Sequence, residues 1–119
     1  MQFTNTLSNV TLAQFQETVV NAGNISGNVS FNLATGSIHK GTLTGDITDL
    51  QMGNDQTGSS FTIILSQDGT GSHTLTTDSN WLWAGGNKTL STAPNSVDVI
   101  SGFWDGTNYY ASLTTGYVT

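Results

Sequence analysis

The residues of this chain best suited to chemistry crowd into Ser66–Gly86, which reads SQDGTGSHTLTTDSNWLWAGG. Asp68, His73 and Asp78 could hold a cation or move a proton, Gly69-Thr70-Gly71 could cradle a phosphate, and Trp81 and Trp83 could stack on a sugar ring. A calcium loop needs several oxygen ligands at close spacing. Asp68-Gly69-Thr70-Gly71 offers one carboxylate, with Asp78 ten residues further on. An Asp-Gly pair between apolar runs is a strong hairpin signal by itself, so no metal site is expected. The glycines lack the lysine-bearing loop and the following helix of a phosphate cradle, and no cofactor is expected either.

Catalysis has little to work with. His39 and His73 are the two histidines, there is no cysteine, and no G-x-S-x-G elbow presents a serine. Glycoside hydrolysis needs two opposed carboxylates. Asp46, Asp49, Asp98 and Asp105 qualify by type, but each stands where a turn or a solvent-facing strand position accounts for it, and Glu17 is the single glutamate. No catalytic residue is expected. The aromatics remain. Trp81 and Trp83 are two apart and share one face of a strand. With Trp104, Tyr109 and Tyr110 they form the candidate subunit interface or glycan platform, with core packing as the competing role for large aromatic side chains.

The elements that must position these residues are strands. Asn28–Leu33, Thr42–Leu50, Phe61–Leu65, Ser96–Phe103 and Thr107–Leu113 alternate apolar and polar with period two or run densely aliphatic. Turn signals separate them at Asn24, Gly36, Gly45, Gly53-Asn54, Asp68-Gly69, Gly85-Gly86, Pro94-Asn95 and Asp105-Gly106. Such spacing predicts an all-β domain, an antiparallel, jelly-roll-like β-sandwich of about 8–10 short strands. Thr11–Val20 reads as strand or extended arm, with a short helix as the rival because Leu12, Phe15 and Val19 also fit a helical face. The expected organisation is an N-terminal arm over residues 1–14 and one sandwich domain over 15–119.

Composition excludes whole classes of partner. The 119 residues carry 2 Lys plus Arg against 8 Asp plus Glu, a net charge of −6, and only 8% are charged. An average domain has about 25% charged residues. Lys40 and Lys88 cannot neutralise a nucleic-acid backbone, which demands several cations, and an anionic membrane would repel the same surface. No apolar run is long enough to span a bilayer, and Met1–Asn5 does not begin a secretion signal. Thr, Ser, Asn and Gly supply the polarity instead, and they can hydrogen-bond to a neighbour without the cost of desolvating charge.

Five motifs then stand out: Gln67-Asp68-Gly69-Thr70-Gly71, Trp83-Ala84-Gly85-Gly86, Thr89-Leu90-Ser91-Thr92, Asp98-Val99 and Asp105-Gly106. In this order they resemble a β module of tailed-phage virion structural proteins, as found in marine and cyanobacterial phages. The likeness covers the second half, with Gly41–Gly45 extending it upstream. The chain departs from the pattern at His73, where a basic residue is usual, and at Thr77-Asp78, where a proline is. The resemblance implies a non-enzymatic assembly protein on the outer surface of the virion, commonly a homotrimer, with the major capsid protein or other virion subunits as partners. The short chain favours a capsid decoration (cement) protein. The alternative is a tail-fibre or receptor-binding tip component that holds a bacterial surface glycan.

Overall fold

The computed structural model describes residues 6–119, and these form six strands in one mixed sheet. They are β1 (Val19–Asn32), β2 (Ile38–Gly53), β3 (Ser60–Gln67), β4 (Trp81–Trp83), β5 (Val97–Trp104) and β6 (Tyr109–Thr114), in the spatial order β1-β2-β3-β5-β6-β4. A single 3-10 turn, Ala84–Gly86, follows β4.

The pairing of β1 with β2 sets the architecture. The two are parallel, with Val19 opposite Ile38 and Asn32 opposite Gly53. Parallel neighbours ordinarily need a crossover of a dozen residues or more, yet only residues 33–37 join them. A straight strand as long as β1 would span about 46 Å, and five extended residues reach back at most about 18 Å. Therefore β1 cannot be straight. It bends through nearly a full coil, and the strand is its own crossover. The bends fall where the register against β2 slips, between Asn21 and Asn24 and around Gly27. Gly23 and Gly27 take φ of 70° and 68° there, a region open to glycine at no steric cost. The end of the coil lands on its start: a Cβ on Gly36 would lie 2.6 Å from the Thr18 carbonyl oxygen.

β2 makes the second coil and β3 begins a third, with Ile38 opposite Thr62 and Leu43 opposite Gln67. Beyond β3 the third layer is a loop held by the bridge Ile47–Leu75 and by the Trp81 indole N–H, which donates to the Leu50 carbonyl at 3.0 Å. The antiparallel hairpin β5–β6 closes the stack along β3, and β4 joins the far side of β6 in parallel. Inside lies one apolar column. Leu43, Ile47, Leu50, Ile63, Leu65 and Ile100 are its most deeply buried side chains, each stabilising the fold by about 1.5–3 kcal/mol on burial.

The all-β expectation holds. The antiparallel sandwich of 8–10 short strands is corrected to six strands, two of them long, in a sheet that coils on itself. The physical reason lies in Asn24 and Gly45. They read as strand breaks, but β1 and β2 run through both positions. Alternation could not tell the two architectures apart, because a coil with one face inward and one in solvent has the same period two as a sandwich strand. Of the expected arm, residues 1–5 lie outside the described residues, and 6–18 hold neither strand nor helix. The short helix weighed for Thr11–Val20 does not form; Val19 and Val20 open β1.

Candidate functional site

The motifs of the second half prove to be joints. Gln67 is 3% exposed, and its side chain donates to the carbonyls of His73 (2.8 Å) and Ser91 (3.0 Å) and accepts from the His73 N–H (3.1 Å). Asp68 Oδ1 accepts the N–H groups of Thr70 and Gly71 and lies 3.0 Å from the His73 ring. Gly71 takes φ of 75° and has no room for a side chain, since a Cβ would sit 2.5 Å from the Thr92 carbonyl. Asp98 is buried, and it accepts the Ser91 N–H (2.6 Å), the Ser91 hydroxyl (2.8 Å) and the Gly116 N–H (3.1 Å). Asp105 closes the last hairpin by accepting from Thr107 and Asn108. Gln67, Ser91 and Asp98 thus fasten the long loop between β3 and β5, and Asp68 and Asp105 shape turns.

Two of these joints titrate. The Gly71 N–H first, then the Thr70 N–H and the His73 ring, hold the Asp68 carboxyl below the usual carboxylate range. The Asn108 and Thr107 N–H groups do the same for Asp105. A carboxyl whose folded pKa is depressed adds stability above its unfolded value, near 3.8, and that stability is lost as the pH falls through the folded value. The double variant D68N/D105N should therefore lose less of its melting temperature than the parent between neutral pH and about pH 2. Melting curves that stay parallel over that range contradict this.

The candidate catalytic groups take part in local hydrogen bonds. The Asp46 carboxylate accepts the Thr74 N–H at 2.9 Å, and Asp49 accepts from the Gln51 side chain at 3.0 Å. His39 is buried on the inner face of β2, donating from Nε2 to the Gly36 carbonyl at 2.8 Å with its ring beside Phe31. His73 faces Asp68 instead. Among the described residues no group of three or more His, Asp or Glu is placed to hold a metal ion.

The aromatics divide by strand parity. Trp81 and Tyr109 are buried, register partners across β4 and β6, with ring centroids 4.4 Å apart. Trp83 stacks on Trp81 at 5.6 Å, and Trp104 lies 4.4 Å from Tyr109; both are half-buried against the core. Burial first, then the Asp55 carboxylate that accepts its O–H, pushes the Tyr109 phenol up. These four form the inner wall at the closing hairpin. Tyr110 points the other way.

On that outer face Leu82, Tyr110 and Phe103 are register partners in a row across β4, β6 and β5. All three are exposed, and the Phe103 and Tyr110 rings stack 5.3 Å apart at 15°. They line an open groove of about 510 Å³ with Trp83, Ser101 and Ser112. Leu82 and Phe103 were missing from the sequence-predicted surface. Alternation puts Leu82 on the face opposite Trp81 and Trp83, and Phe103 opposite Trp104, but which face is buried is set by the closed sheet.

Comparison with known families matches residues 25–109 to a family described as "Putative phage tail fibre C-terminal domain". The chain belongs to this family. The match runs from within β1 to the first residue of β6, so it takes in the end of the first coil, the second coil and the long loop with its Gln67, Asp68 and Ser91–Asp98 joints. The chain is accordingly a phage structural protein and a component of the virion. No curated protein and no solved structure matches it.

Proposed function

We propose that this protein forms a receptor-binding part of a phage tail and holds a saccharide of the bacterial surface on the Leu82–Tyr110–Phe103 face. The family match favours a tail position over capsid decoration. One observation carries the reading: two stacked aromatic rings and a leucine lie exposed in a row beside Ser101 and Ser112. A sugar presents a C–H face and a rim of hydroxyls. The rings offer flat apolar surface at little entropic cost, and the tyrosine and serine hydroxyls both donate and accept. A weakly charged protein suits a neutral polymer, where electrostatic steering has no role.

An array of bacterial surface polysaccharides is the test. The parent should bind at least one, and Tyr110→Ala and Phe103→Ala should each weaken it about tenfold or more, equal to about 1.4 kcal/mol. Melting temperature should hardly change, because substitutions on an exposed face usually stay within about 0.5 kcal/mol. A silent array, or full binding by Tyr110→Ala, sinks the saccharide reading. Counting copies per virion by mass spectrometry separates tail from capsid: a few copies fit a tail, hundreds a capsid lattice.

A further inference from the structure

β1 is the outermost strand, and its far edge pairs with no other strand among the described residues. The coil it forms is open at that end: a concavity of about 310 Å³ is lined only by residues between Ala22 and Phe31, with Ile25, Val29 and Phe31 as its apolar part. Stacked coils bury one another, and a terminal coil needs a cap. Free strand edges are normally guarded by charge, proline or bulges. β1 has no charged residue and no proline, and its bulges lie before Asn28. From Asn28 to Asn32 the register runs unbroken, so this window is an unguarded template.

One segment of the chain fits it. At this place in the coil β1 has Asn28-Val29-Ser30-Phe31 and β2 has Asp49-Leu50-Gln51-Met52, in register, with the second and fourth residues buried in both. Asn80-Trp81-Leu82-Trp83 repeats the pattern one layer on, where Trp81 reaches Leu50. Asn9-Val10-Thr11-Leu12 has it again. In the single chain that segment forms no regular structure, with a bend at Asn9 (φ 56°), and its apolar side chains are wasted on solvent, with Val10 55% and Leu12 65% exposed. Residues 6–16 carry no charge, nor does β1, so two copies of a chain with net charge −6 can meet here without repulsion.

In the single chain residues 17–18 already lie over the next corner, where the Ser37 hydroxyl donates to the Glu17 carboxylate and the Ile38 N–H donates to the Thr18 carbonyl, yet residues 9–12 form no strand with β1. We infer that residues 9–12 of one copy add as a parallel strand to Asn28–Phe31 of a second copy, with Val10 and Leu12 filling the concavity. This is strand addition at a sheet edge: backbone bonds supply affinity and the apolar pair supplies register.

The chain has no cysteine, so a designed pair reports cleanly. In the full chain carrying T11C and S30C, mild oxidation should give covalent multiples of the 12.5 kDa protomer on a non-reducing gel. An internal disulfide within one protomer, or no cross-link, overturns the inference. Light scattering is the second arm. The cysteine-free parent should exceed the protomer mass, and V10D/L12D should return it to one protomer with its fold intact, since both residues are exposed in the single chain. A monomeric parent, or an unchanged mass in V10D/L12D, overturns it as well.

Discussion

Trp81→Ala will cost this protein about 3–5 kcal/mol, the range for deleting a buried large aromatic. The whole fold is worth only about 5–15 kcal/mol, so the variant should melt on the order of 15 °C lower. Three separate losses add up. The indole fills space between Phe61, Trp83 and Tyr109, with ring centroids at 5.7, 5.6 and 4.4 Å. Its N–H is the donor for the Leu50 carbonyl, and losing it leaves a buried acceptor short of a partner. It also belongs to the short strand β4, whose three residues hold on mainly through β6 and this buried side chain, with Trp83 adding a half-buried one. Trp83→Ala should cost clearly less, because Trp83 is half-buried and its indole donates to the Thr77 hydroxyl rather than to a core carbonyl. Calorimetry on the two variants checks both statements. A Trp81→Ala protein that melts within about 2 °C of the parent would show that the aromatic wall does not close the stack.

Asp98→Ala should be the other strongly damaging change, since each buried donor left without its acceptor costs about 1–3 kcal/mol. The carboxylate lies on β5 and holds two remote pieces of chain, Ser91 in the long loop and Gly116 near the C-terminus. Without it, the Ser91 and Gly116 amides lose their acceptor. Asp98→Asn keeps one oxygen but turns an N–H donor toward other donors, and it should recover only part of the loss. Hydrogen exchange gives the specific readout: the Ser91 and Gly116 amides should lose protection in Asp98→Asn under conditions where Ile63 and Leu65 keep theirs. Equal protection at Ser91 and Gly116 in parent and variant would falsify the role given to Asp98. Gln67, which grips Ser91 from β3, is the reason the loop should loosen rather than detach.

Much of this was legible in the residues alone. Period-two alternation yielded strands close to their true places. Phe61–Leu65 lies within β3, and Ser96–Phe103 overlaps β5 almost entirely. Alternation is a local property of the backbone, so a local reading recovers it. The turn chemistry of Asp68-Gly69 and Asp105-Gly106 is local for the same reason: each aspartate caps amides two and three residues away.

What the residues could not disclose is what each strand meets. Whether Gly27 ends a strand or bends one depends on whether Ile47 lies opposite to carry the ladder past it, and that partner is 20 residues away. The coil, and with it the exposed edge of β1, follows from that long-range register. The same holds for the aromatic surface. Five aromatics formed one candidate platform in the sequence; the fold keeps Trp81, Trp83, Trp104 and Tyr109 on the core side and leaves Tyr110 outside with Leu82 and Phe103. Parity tells which residues share a face, but only closure of the sheet decides which face becomes the inside.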